Sequence, residues 1–168
     1  MPDRILVAYS SKHGATAEIA QRIGQVLGDA GHAVDVADVR AVRDLTPYRA
    51  VVLGSGVYIG MWRRPAARFL KRQQEELAQR AVWLYSSGPT GEGDPQTLTQ
   101  GWTFPKGLAP VAEAIGARST ALFHGAVDPA KLNVLGRWML KNVDSPVGDY
   151  RDWEAIEGWA RGIAEALG

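Results

Sequence analysis

Cysteine is absent from the 168-residue chain. That excludes a disulfide framework, a thiol nucleophile and thiolate ligation of an iron–sulfur cluster. Any redox chemistry would have to come from a bound organic cofactor. An excess of one charge is missing too, with 19 Lys and Arg against 18 Asp and Glu. Dedicated nucleic-acid binders carry a clear basic excess, so no nucleic-acid partner is expected. No apolar run reaches the roughly 18 residues of a membrane span. Met1 to Arg4 lead straight into a strand-like run, so no signal peptide is expected and the expected location is cytoplasmic. What is present, 46% hydrophobic and 22% charged residues, suits one globular domain spanning 1–168 with one core.

Apolar runs alternate with longer amphipathic stretches. Ile5-Leu6-Val7-Ala8-Tyr9, Val34 to Val39, Ala50 to Gly54, Ala81 to Tyr85 and Thr120 to Phe123 read as buried strands. Ala15 to Ala30 places Ile19, Ala20, Ile23, Val26 and Leu27 on one helical face, and Gly31 fits its stop. Pro65 to Gln79, Pro110 to Ile115 and Trp153 to Leu167 are predicted as further helices, the last preceded by Asp152. Near-continuous apolar strands alternating with helices imply a parallel sheet covered on both faces, a doubly wound α/β fold.

In such sheets ligands bind beyond the carboxyl ends of the strands. Three loops leave those ends. The first, Ser10-Ser11-Lys12-His13-Gly14-Ala15-Thr16, enters a helix N-terminus, where backbone N–H groups and the dipole favour an anion such as phosphate. Its hydroxyls serve equally as plain helix caps. The second is Gly54-Ser55-Gly56-Val57-Tyr58-Ile59-Gly60-Met61-Trp62, followed by Arg63-Arg64-Pro65. Its glycines permit close approach of a flat ligand, and Tyr58 and Trp62 offer rings for stacking; the alternative puts Trp62 in the core. The third, Ser86 to Trp102, starts Ser86-Ser87-Gly88-Pro89-Thr90-Gly91 and could supply hydroxyls and amides for the polar edge of a heterocycle. There is no G-x-G-x-x-G and no G-x-x-x-x-G-K-[ST], which argues against dinucleotide and P-loop sites. The third strand ends Leu53-Gly54-Ser55, without the Asp of a phosphoacceptor domain.

Tyr9 to Thr16 resembles the flavodoxin phosphate loop, [ST]-x-[ST]-G-x-T, matched by Ser11, Gly14 and Thr16, with His13 where a Thr is usual. Gly54-Ser55-x-x-Tyr58-x-Gly60, and the layout from Phe123 to Leu167, are similar to the flavodoxin-like, quinone-dependent protoporphyrinogen oxidases. Glu92 and Asp94 stand where that family is rich in basic residues. The resemblance implies a flavodoxin-like five-stranded sheet in the order 2-1-3-4-5. It further implies FMN as cofactor, with phosphate on the first loop and the ring between the second and third, and an oxidoreductase working with a quinone or another redox partner. A shuttle flavodoxin without a substrate of its own is the alternative. The near-zero net charge and Arg63-Arg64 favour the oxidoreductase, since shuttle flavodoxins are strongly acidic. Lys131 to Val143 reads as a basic amphipathic helix with Leu132, Leu135, Met139 and Val143 on one face. It either packs on its own domain or makes a peripheral contact at the inner face of the membrane.

Overall fold

The computed structural model describes residues 2–142 and 146–168, the side chains of 139–142 excepted. Strands β1 (Arg4–Ser10), β2 (Val34–Asp38), β3 (Tyr48–Tyr58), β5 (Ala81–Ser87) and β6 (Ser119–Phe123) pair in parallel in the order β2-β1-β3-β5-β6. Between them falls β4 (Met61–Trp62), a two-residue strand antiparallel to the end of β3. The five parallel strands thus keep the order 2-1-3-4-5, and the sheet has a sixth member that the expected five-stranded sheet lacks. A separate small sheet joins β7 (Ala126–Val127) to β8 (Gly148–Asp149).

Burial on both faces explains the unbroken apolar strands. Leu6, Ala8, Val51, Leu53, Val82 and Leu84 point to one side, where they meet Ala66, Phe69 and Leu70 of α2 (Arg64–Arg72). Ile5, Val7, Ala50, Val52, Trp83 and Tyr85 point to the other, against α1 (Ala15–Asp29) and α7 (Trp153–Leu167). Ile19, Ala20, Ile23 and Leu27 are the buried stripe of α1, at the expected helical spacing, with Val26 partly buried at its edge. Asp152 caps α7 by accepting from the Ala155 amide at 3.1 Å.

The helix expected from Pro65 to Gln79 divides at Gln73 into α2 and the short α3 (Gln74–Leu77), with no Gly or Pro to mark the break. The third loop contains a one-turn helix, α4 (Pro95–Leu98), and α5 (Ala109–Ala114) follows it. Helix α6 (Val134–Asn142) covers most of the expected 131–143 stretch. Leu132 precedes α6, Val143 lies outside the described residues, and so do the side chains of Met139 and Lys141. Among the described residues no helix is long and apolar enough to cross a membrane.

One close packing connects the sheet to the first loop. Gly54 of β3 pairs in register with Tyr85 of β5, and a Cβ built on Gly54 would lie 1.9 Å from the Tyr85 ring. Tyr85 therefore lies across β3, packs near Phe123 and Trp159, and donates its hydroxyl to the Thr16 carbonyl at 3.4 Å. Burial pushes the phenol's pKa far up, so it stays protonated and a donor. The space that Gly54 leaves open is filled by this ring, not by a ligand.

Gly54→Ala is expected to destabilise the protein by about 3 kcal/mol, the upper range for overpacking a filled core. Tyr85→Leu in the same chain should recover part of the loss. Urea unfolding of both variants checks this; a Gly54→Ala variant as stable as the parent would contradict the packing.

Candidate functional site

The carboxyl ends of β1, β3 and β5 carry Ser10, Ser55 and Ser86 in register across three neighbouring strands, all buried. Alternation along each strand puts them on the same side as Ala8, Leu53 and Leu84. Each hydroxyl binds the chain segment that crosses above it. The Trp62 indole N–H donates to Ser86 Oγ at 2.8 Å, and the Arg63 amide donates to Ser55 Oγ at 3.0 Å. Arg63 Nη1 donates to Ser10 Oγ at 2.9 Å, while Ser55 donates onward to the Gly56 carbonyl at 2.8 Å.

This row corrects part of the expected site. Ser10, Ser55 and Ser86, all expected among the cofactor-binding residues, have their hydroxyls engaged by Arg63, the protein's own backbone and the Trp62 indole. Trp62, expected as a candidate stacking ring, is 4% exposed and edge-on to Phe104 at 5.3 Å, so its ring belongs to the core. A buried indole needs both an apolar bed and an acceptor, and here it has both.

The second loop is shorter than it reads, because β3 continues to Tyr58 and turns back through Ile59 and Gly60 into β4. Both turn residues have positive φ, 52° and 69°, the signature of the tight turn that matches strand twist. Tyr58, 46% exposed, remains available at the hairpin tip. Its ring leans over Gly56, where an added Cβ would lie 3.5 Å from Tyr58 Cε2 and 3.2 Å from Thr16 Oγ1. The first and second loops therefore meet at Gly56. Desolvation raises the Tyr58 phenol pKa, and the Arg63 charge partly opposes that.

In the first loop Gly14 is the N-cap of α1 with φ 97°, a left-handed conformation suited to glycine. Its amide donates to Ser11 Oγ at 3.0 Å, so Ser11 is engaged within the loop. No side chain caps the first amides of α1 among the described residues, and the N–H groups of Ala15 and Thr16, in its first turn, have no intrahelical acceptor. Lys12 is exposed, and His13 and Ala15 are partly buried. Desolvation, then the charges of Lys12, Arg63 and Lys131, holds the His13 imidazole below its ordinary pKa of 6.5.

The third loop closes on the second. An added Cβ on Gly88 would come within 3.3 Å of Val57 Cβ. His124, buried just past β6, has its ring nitrogens 3.2 Å from the Pro89 carbonyl and 2.6 Å from the Gly93 carbonyl. Gly125 donates to Pro89 O at 2.8 Å. Ser87 is buried, whereas Thr90 is half-buried and Gly91 lies against Leu98 and Pro146. Between the two loops lies a cavity of about 370 Å³, lined by Val57, Gly60, Gly88, Pro89, Thr99 and Trp102. Its size falls in the ordinary range for small-ligand pockets. Thr99, Trp102 and His124 were missed by sequence reasoning. The only signal for the first two was Asp94-Pro95, an N-cap and first-turn pair that starts α4 and folds the loop back.

A flavodoxin domain model matches residues 6–153. The chain is 23% identical over 172 aligned positions to protoporphyrinogen IX dehydrogenase [quinone] of Escherichia coli K12, spanning 96% of this chain and 94% of that protein. Among solved structures, a flavodoxin from the domain Archaea superposes with TM-score 0.61 at 14% identity, covering 98% of each chain. Oxidised Flavodoxin 1 from Bacillus cereus superposes with TM-score 0.64 at 13% identity, covering 98% of this chain and 99% of that one.

Two expectations follow from the site. Ser86→Ala leaves the Trp62 indole N–H buried without an acceptor, at a cost of about 1–3 kcal/mol; chemical denaturation monitored by tryptophan fluorescence measures it, and an unchanged midpoint would refute the pairing. The folded-state pKa of His13 lies below its unfolded value, so the unfolded chain takes up the proton first. Its contribution to stability is present above pH 6.5 and is lost as pH falls. Melting temperatures measured from pH 7.5 down to 5 should fall less steeply for His13→Gln than for the parent; identical slopes would count against it.

Proposed function

The chain belongs to the flavodoxin domain family, and from that premise we propose that it is a single-domain oxidoreductase that holds FMN non-covalently and passes electrons to a quinone. The observation that carries the proposal is the convergence of three loops at one edge of the sheet: the uncapped α1 N-terminus and Thr16 meet the second loop at Gly56, and the second meets the third around a 370 Å³ cavity. These parts fit the two ends of FMN. The backbone amides of the first loop and the Thr16 hydroxyl would take the phosphate. Val57, Gly88, Pro89 and Trp102 would bed the flat ring, and Tyr58 at the hairpin tip would cover it.

When bound, the flavin supplies the electron chemistry. The protein's own residues bind, orient and shield. His124 and Gly125 hold the third loop in place through Pro89 and Gly93. The hairpin presents Ile59 and Met61, 86% and 67% exposed, beside the cavity.

The quinone as acceptor is supported by the E. coli relative's name and by this apolar rim. It is supported too by α6, whose Val134, Leu135 and Trp138 are 84%, 63% and 61% exposed. An exposed apolar helix face with Lys131 and Arg137 beside it favours peripheral contact with an anionic membrane surface, where lipid-soluble quinones reside. Glu92 and Asp94 on the third loop would repel a donor carrying carboxylates, so a porphyrinogen is not the donor assigned here.

Purified protein titrated with FMN is expected to bind about one equivalent with quenching of flavin fluorescence. Thr16→Ala should weaken FMN about fivefold, the equivalent of one hydrogen bond, and leave riboflavin nearly unaffected. Equal weakening of both flavins would remove the phosphate from the first loop, and no flavin binding at all would overturn the proposal.

A further inference from the structure

Arg63 reaches the first loop from a different part of the chain. Its amide is held by Ser55, which sets where the side chain starts, and its Nη1 is held by Ser10, which sets where it ends. A long cationic side chain anchored at both ends in this way loses little further freedom when it meets a ligand. Among the described residues Arg63 forms no ion pair. Asp38, whose carboxyl feels the Arg63 charge, is engaged by Arg40 at 2.9 Å. A guanidinium has five N–H donors, and the structure accounts for one of them, the bond to Ser10.

Its charge is felt at the loop. Arg63 acts on both His13 and Tyr58, one from the first loop and one from the second, so it stands at their junction. The other cations there are less committed. Lys12 and Lys131 are exposed, and the His13 imidazole is held toward its neutral form. The first loop thus offers the amides at the start of α1, the Thr16 hydroxyl and the exposed Lys12, and Arg63 adds the charge that is anchored to the sheet.

We propose that Arg63 is the residue that makes this site select a phosphorylated flavin, by pairing its unspent guanidinium donors with the phosphate held on the first loop. This rests on the FMN assignment above and adds to it a specificity determinant that lies 47 positions beyond Thr16 in the chain. A role confined to pinning Ser10 would affect both flavins alike, because the pin shapes the crevice whichever flavin enters. A role in charge pairing affects only the ligand that carries the phosphate, and it weakens with salt.

The test compares dissociation constants of FMN and riboflavin, by fluorescence titration at low and high ionic strength, for the parent, Arg63→Gln and Arg63→Lys. Arg63→Gln is expected to weaken FMN about tenfold or more, to change riboflavin less than about twofold, and to flatten the salt dependence of FMN binding. Arg63→Lys should retain part of the preference, as a point charge without the fork. Equal weakening of both flavins by Arg63→Gln, or an unchanged preference for FMN, would overturn the role given to Arg63 while leaving the FMN assignment standing. A parent protein that binds neither flavin would overturn that assignment, and the selection with it. Circular dichroism of each variant separates loss of fold from loss of binding. A riboflavin constant unchanged in Arg63→Gln would itself show that the crevice is intact.

Discussion

Three buried serine hydroxyls, aligned across β1, β3 and β5, organise the carboxyl edge of the sheet. At these positions a polar side chain stands on a buried face of each strand. A buried hydroxyl must find a partner, and all three find it in two consecutive residues, Trp62 and Arg63. The crossing segment is thereby fastened to three strands at once. The hairpin before it and helix α2 after it take their positions from that fastening. So does the placement of an arginine at a loop more than forty residues earlier in the chain.

The opposite face of the sheet reaches the same edge by packing. Gly54 has no side chain because the Tyr85 ring occupies that space, and the ring's hydroxyl ends on the Thr16 carbonyl. The first turn of α1 is thus held from β5 across an intervening strand. Gly88 and Gly125 do for the third loop what Gly54 does for the first. A Cβ on Gly125 would sit 2.9 Å from the Gly88 carbonyl, so the two backbones touch and His124 can reach across to Pro89 and Gly93. Loops are usually the mobile part of such folds. Here each loop is tied at its base to a strand other than its own, which leaves the tips, Tyr58 to Met61 above all, as the exposed parts.

Much of this architecture is legible in the residue pattern. Runs such as Ile5 to Tyr9 and Ala50 to Gly54 are apolar on both faces because each face meets a helix layer. The spacing of Ile19, Ile23 and Leu27 states which side of α1 is buried. The glycine and serine content of the segments after β1, β3 and β5 marks one crevice. Partner choice is not legible. Ser55 and Ser86 read like ligand donors, and Trp62 like a stacking ring, because composition cannot tell which side of a strand end faces solvent. The break at Gln73 carries no Gly or Pro. The sixth strand is two residues long, too short for any periodicity.

The sequence by itself determined the layers, the order of strands and helices along the chain, and which three loops leave the carboxyl ends of β1, β3 and β5. These follow from local periodicity and from Gly and Pro placement, which depend on neighbours a few residues apart. Only the tertiary structure decided which polar groups face the crevice and which are spent holding it together. That depends on register between strands: one residue of slip would turn Ser10, Ser55 and Ser86 to the other face, leaving Trp62 without its acceptor and Arg63 without its anchor.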